Sequence, residues 1–186
     1  MTIRVMLVSP ALTDDGRQAR FGADAPLDDA AVRRTRAAAA ALPRADLVVA
    51  GPSARCAGTA AALGLGPAGA AGPADCDWGR WHGRRLEDLA AADPQELAAW
   101  LSDPDATPHG GESLTAFGAR VGAWLDGLGA SGRVLAVVEP AVVRAAVVHA
   151  LALPAQAFWR IDVPPLTLTE LSGRAARWNL RCGQPL

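Results

Sequence analysis

Three apolar runs in this chain end on residues that can do chemistry. Ile3 to Val8 stops at Ser9-Pro10, Asp46 to Ala50 stops at Gly51-Pro52-Ser53 with Arg55 just beyond, and Arg133 to Val138 stops at Glu139-Pro140. Short apolar runs bounded by turn residues read as buried strands. In open α/β sheets, ligands bind beyond the carboxyl ends of such strands. Ser9, Ser53, Arg55 and Glu139 are therefore expected at one rim. A carboxylate beside one guanidinium in a desolvated cleft is an acid/base arrangement, and it is equally a closed salt bridge. Gly51-x-Ser53 has the start of a nucleophile elbow, but Arg55 stands where its second glycine belongs.

Other candidates lie in loops. Asp75 opens the ring-rich stretch Asp75-Cys-Asp-Trp-Gly-Arg-Trp-His-Gly83, in which Trp78 and Trp81 could stack on a ligand ring or plug the loop over the helices. His82 and His109, with Asp75, Asp77 and Glu112, offer metal-binding side chains, but none form an i,i+3 or i,i+4 ligand pair. Solvated loop histidines are the simpler reading, and no metal or cofactor is assigned. His149 falls in an apolar helical stretch and reads as a satisfied, partly buried histidine. Trp100, Trp124, Trp159 and Trp178 read as core or interface, and Asp14, Asp15, Arg17 and Arg20 as a solvated loop.

The elements that must position these residues alternate. After the first strand, Asp28 caps an Ala-rich helix reaching about Leu42, and Ser53 caps a helix through Leu63. Helices follow over 85–92 and 94–102, with Pro94 in a first turn. The next helix runs from Ser113 to about Leu128, with Phe117, Val121, Trp124 and Leu128 on one stripe. Val142 to Leu151 is the last helix. Leu166–Leu171 and Ala176–Leu180 are edge strands around a Ser172-Gly173 turn. Strands alternating with helices give an α/β fold, a three-layer sandwich whose mainly parallel sheet is flanked by helices. No linker divides the chain, so residues 1–186 are expected to form one domain.

Composition narrows the function. The 186 residues are 51% hydrophobic and 20% charged, enough for a sizeable core and too apolar for a disordered chain. The 18 basic residues, all arginine, nearly cancel the 19 acidic ones, so nucleic acid is not expected as a partner. Arg33, Arg34 and Arg36 form the densest basic cluster and suit a solvated helix face. No window approaches the roughly 20 apolar residues of a membrane span, and the short run Met1 to Val8 is not expected to act as a signal sequence. Three cysteines without a C-x-x-C pair argue against a disulfide framework. The expected setting is the cytoplasm, with a small-molecule ligand of unknown identity and room for a homodimer.

Five signatures in order resemble the histidine phosphatase superfamily, the phosphoglycerate-mutase-like fold, over nearly the whole chain. The family's strand followed by Arg-His-Gly aligns with Leu7-Val8-Ser9-Pro10-Ala11, and its Ser-Pro-x-x-Arg-Ala with Gly51-Pro52-Ser53-Ala54-Arg55-Cys56. The acidic residue before Gly-x-Trp-x-Gly is Asp75, with Gly79, Trp81 and Gly83. Gly-Gly-Glu-Ser is Gly110 to Ser113, with Arg120 behind it, and the final Ser-His-Gly aligns with Val138-Glu139-Pro140 and Arg144. In this alignment the nucleophilic histidine falls on Pro10, the second pocket histidine on Glu139 and the first pocket arginine on Ser9. Phosphoryl transfer through a phosphohistidine needs a free imidazole nitrogen, and proline's nitrogen is tied into the peptide bond.

The resemblance thus implies a pseudophosphatase that binds a small molecule or a partner in the former phosphate pocket. The alternative is a repurposed acid/base enzyme of specialised metabolism using Glu139 and Asp75, and residual phosphatase activity ranks last. Ser9, Pro10, Ser53, Arg55, Glu112 and Trp81 are the expected ligand-binding residues. Because burying either charge alone is costly, Arg55 and Glu139 are expected to pair across the pocket.

Overall fold

A computed structural model of the chain describes residues 2–22, 24–66, 70–129, 131–174 and 177–182. The strands are β1 (Ile3–Val8), β2 (Leu47–Ala50), β3 (Ala70–Ala71), β4 (Gly132–Val137), β5 (Leu168–Arg174) and β6 (Arg177–Arg181). They form one sheet in the order β3-β2-β4-β1-β5-β6. The first four are mutually parallel, and β5 and β6 run antiparallel at one side.

Alternation along the two central strands shows why helices must cover both faces. Val5 and Leu7 of β1, with Val134 and Ala136 of β4, join one apolar cluster with Phe117, Val121 and Val142. Met6, Val8, Leu135 and Val137 join a second cluster with Cys56, Ala60 and Leu63. The first face is covered by α6 (Leu114–Asp126) and α7 (Pro140–Ala150), the second by α2 (Asp29–Ala38) and α3 (Ala54–Ala62). The three-layer sandwich and its mainly parallel sheet are as the sequence predicts. The shorter helices α1 (Asp14–Arg17), α4 (Leu86–Ala92) and α5 (Pro94–Ser102) complete the set of α-helices among the described residues.

The helix starts follow local chemistry. Asp28 accepts from the Ala31 amide at 2.6 Å, Ser53 from the Cys56 amide at 3.1 Å and Ser113 from the Ala116 amide at 3.1 Å. Each satisfies a backbone donor that has no partner within its helix. Three sequence expectations need correction. The segment expected as an edge strand from Leu166 is β5, which pairs on both sides, with β1 and β6. The α-helix after Asp28 ends at Ala38 and continues only as a 3-10 turn over Ala39–Ala41. Ser172-Gly173 is not a turn but part of β5, with Gly173 paired to Trp178. A Cβ at Gly173 would lie 2.4 Å from the Trp178 ring, so glycine there lets the indole lie across the strand. Residues 175–176, between β5 and β6, lie outside the described residues.

A cavity with an internal ion pair

The carboxyl ends of β1, β2 and β4 open onto a cavity of about 730 Å³. Pro10, Arg55 and Glu139, each just past one of those strands, all line it, as does Asp75. Five aromatic side chains, Phe21, Trp78, Trp100, Phe158 and Trp159, share the rest of the wall with aliphatic residues and with Arg20 and Arg144. These rings pack edge to face, with centroids 5.1 Å apart for Phe21 and Trp78, 4.3 Å for Trp100 and Trp159, and 4.9 Å for Phe158 and Trp159. An adjoining hollow of about 280 Å³ shares Asp75, Trp78 and Glu139, and adds Ser53 and His82.

Arg55 and Glu139 meet as the sequence predicts. Arg55 Nε donates to Glu139 Oε1 at 2.9 Å, and Nη2 donates to Oε2, so the guanidinium holds the carboxylate by two parallel bonds. The Ser53 hydroxyl donates to Oε1 at 2.7 Å, and the Cys56 thiol approaches the same atom at 3.5 Å. With Glu139 3% exposed, both carboxylate oxygens are occupied by protein donors. Burial lowers the Arg55 pKa, but the hydrogen bond and charge of Glu139 outweigh it and raise the guanidinium above its ordinary value. Burial and the Glu139 charge push the Cys56 thiol well up, so it is not a thiolate near neutral pH.

Asp75 is held differently. Its Oδ2 accepts from Trp78 Nε1 at 3.0 Å, while Oδ1 is shut from solvent with no partner among the described residues. Burial first, and then the Glu139 charge, push this carboxyl up to about 6. The loop that carries it is clamped by Arg120 of α6, which donates to the carbonyls of Ala74 at 3.2 Å and Asp75 at 3.1 Å. Arg120 is in turn fixed by two bonds to Glu112, at 2.9 and 2.8 Å.

The expected site residues therefore separate into groups. Pro10, Arg55, Asp75 and Glu139 share the large cavity, and Ser53 borders the small one. Three others do not face either space. Ser9 is fully buried, and its hydroxyl donates to the Pro164 carbonyl at 2.6 Å and accepts from the Thr167 amide at 3.0 Å. Trp81 is likewise fully buried, inside the ring cluster beneath the cavity. Glu112 is spent on Arg120. His109, expected in solvent, is 1% exposed beneath Trp78 and Trp81. Its Nδ1 accepts from the Gly111 amide at 3.0 Å, and burial pulls its pKa down. His82 is exposed, and His149 pairs with Asp126 at 2.9 Å. Among the described residues, no group of three His, Cys, Asp or Glu side chains gathers to hold a metal ion. No described helix is long and apolar enough to cross a membrane.

Sequence reasoning missed Phe21, Trp100, Trp159 and Arg20 as cavity residues, and treated Arg144 only as part of a motif. Arg144 of α7 lines the cavity, donates from Nε to the Ile161 carbonyl at 2.8 Å and lies over the Phe158 ring at 5.6 Å. Its aromatic neighbours come from segments far apart in sequence. Only the folded chain brings them together.

Known structures share this architecture. A mycobacterial glucosyl-3-phosphoglycerate phosphatase with bound vanadate is 26% identical, with 96% of each chain covered and a TM-score of 0.80. A structure described as mycobacterial hydrolase 1 is 25% identical, with 98% of each chain covered and a TM-score of 0.79. An alpha-ribazole phosphatase from Shigella flexneri, 21% identical over 96% of this chain and 94% of its own, reaches a TM-score of 0.77 and shows the fold alone. No curated protein matches the chain significantly by sequence. The profile of the histidine phosphatase superfamily (branch 1) matches residues 11–183, and the chain belongs to that superfamily.

Proposed function

We propose that this chain is a histidine-phosphatase-fold protein that no longer transfers phosphoryl groups and binds a small molecule in the cavity instead. One observation carries the reading: the Glu139 carboxylate occupies the Arg55 guanidinium as an internal anion. Phosphoryl transfer needs positive donors on the transferring oxygens. Here Arg55, the cation at the former phosphate position, is already neutralised. A phosphate dianion would also meet the Glu139 charge, at a cost of about 4 kcal/mol per unit charge at ~4 Å and an effective dielectric of ~20. Pro10, where the alignment places the nucleophile, offers no nitrogen lone pair. The unpaired cysteines fit a reducing cytoplasmic setting.

The test is turnover of p-nitrophenyl phosphate and 3-phosphoglycerate by purified protein. No rate above background is expected. Turnover that disappears in Arg55→Ala would overturn the reading.

Asp75 favours a second reading, acid/base catalysis on an uncharged substrate. A carboxyl at the cavity wall pushed up to about 6 suits a proton carrier. With both Glu139 oxygens engaged, Asp75 would move the proton. Such activity would follow an apparent pKa near 6 and disappear in Asp75→Asn.

A further inference from the structure

Three guanidinium groups line the large cavity, those of Arg20, Arg55 and Arg144. Two are committed to the protein. Arg55 is held by Glu139, while Arg20 donates to the Gly83 carbonyl at 2.8 Å and to Gln18 at 2.9 Å, and lies 3.5 Å from Asp15. Arg144 is not. Its only hydrogen bond among the described residues runs from Nε to the Ile161 carbonyl, and no described carboxylate lies within ion-pair distance. Nε is thus used to fix the group in place, with Phe158 beneath its plane, and both Nη groups are left without acceptors among the described residues. Burial pulls its pKa below the usual arginine value although the Asp162 and Asp75 charges act the other way, which marks a cation partly stripped of water whose nearby carboxylates do not pair with it directly.

We propose that the cavity takes a small apolar acid with a single negative charge, its carboxylate bound end-on by the two Nη groups of Arg144 and its body packed against Phe158, Trp159 and Trp100. This rests on the reading that the pocket binds rather than transfers phosphate. A planar carboxylate matches the two free donors of the guanidinium edge. One free cation balances one charge, and a dianion in the same cavity would face Glu139 and Asp75 as well. The aromatic wall supplies contact area for an apolar body, and about 730 Å³ lies within the range of small-molecule sites.

Three probes with one ring system separate the possibilities by calorimetry: 2-naphthoate, 2-naphthamide and 2-naphthyl phosphate. The full-length protein should bind the carboxylate at least about tenfold tighter than the amide, as a pair of charge-assisted bonds implies. Arg144→Met should bring the two affinities together, the carboxylate losing much more than the amide. If Arg144→Met no longer binds the amide, its cavity has collapsed, and Arg144→Lys decides: a retained carboxylate preference supports the proposal, and a lost one overturns it. Equal affinities in the wild type, a preference that persists in Arg144→Met, tighter binding of the phosphate ester, or no saturable binding of any probe would each overturn it. Hydrolysis of 2-naphthyl phosphate would instead sink the reading beneath it, whatever the carboxylate does.

Discussion

Arg55 and Arg144 line the same cavity, yet they differ in what holds them. Arg55 follows β2 and meets a carboxylate that follows β4, with Ser53 filling the remaining acceptor site. That corner is closed, with both Glu139 carboxylate oxygens answered by donors from within the chain. Arg144 stands one turn into α7 with a carbonyl on one edge and a ring beneath it, and its other edge is free. Because a desolvated charge is tolerated only when paired, the two corners have different prospects. The first can open only by losing a partner, and the second is complete only with a ligand.

The largest expected effect comes from breaking the closed corner. Arg55→Ala strands a carboxylate that is 3% exposed, and should cost about 3–5 kcal/mol in urea denaturation. Replacing both partners with apolar residues (Arg55→Met with Glu139→Leu) should cost less than the single change. A loss of under about 1 kcal/mol in the single variant would mean the pair is hydrated and not closed.

Asp75 gives the next effect. Its folded pKa of about 6 lies above its ordinary 3.8, so the folded state holds its proton more tightly than the unfolded one. The resulting stability is full below about pH 3.8 and is lost as pH rises through about 6. Asp75→Asn should remove that slope and gain roughly 2 kcal/mol over the wild type at pH 8. Its amide oxygen can still accept from Trp78. Parallel stability curves for the two proteins would contradict this.

Thiol labelling sharpens the contrast further. Cys182 is exposed, whereas Cys56 and Cys76 are buried and their thiols are pushed up. Iodoacetamide should modify Cys182 rapidly and the other two only on unfolding. Opening the corner with Glu139→Ala should speed the labelling of Cys56 but not of Cys76. The smallest effect concerns His109, whose lowered pKa has the opposite sign to that of Asp75. Stability is full above its ordinary pKa of 6.5 and falls as pH drops below it. The protection of the Gly111 amide, whose N–H donates to His109, against hydrogen exchange (its rate relative to the unfolded chain at the same pH) should weaken modestly as His109 is protonated in acid; protection unchanged by acid would remove His109 from the account.

Local chemistry made much of this legible in the sequence. The apolar runs at Ile3 and Arg133, the caps at Asp28, Ser53 and Ser113, and the polar residues just past the strands all follow from short-range rules. The pairing of Arg55 with Glu139 followed from the cost of burying either alone. What could not be read was set by distant segments. Ser9 looked like a rim residue, but its hydroxyl turns to Pro164 and Thr167, more than 150 positions away. Of two tryptophans in one loop, Trp78 reached the cavity and Trp81 the core, both packed against the distant rings of Phe21 and Trp100. His109 was drawn inward by the same cluster. Arg144 carried no local mark of being unpaired, because that depends on which carboxylates the fold leaves out of reach.

The central claim is that Glu139 stands in for the anion that Arg55 would otherwise bind, and a calorimetric titration with inorganic phosphate tests it most directly. Wild-type protein should give no saturable heat up to about 10 mM, a limit corresponding to binding weaker than roughly 3 kcal/mol. Glu139→Ala, folded by circular dichroism, should bind phosphate with a Kd in the millimolar range, and Arg55→Met in that background should abolish the binding. Phosphate binding by the wild type as tight as by Glu139→Ala, or binding in the variant that survives Arg55→Met, would contradict the account.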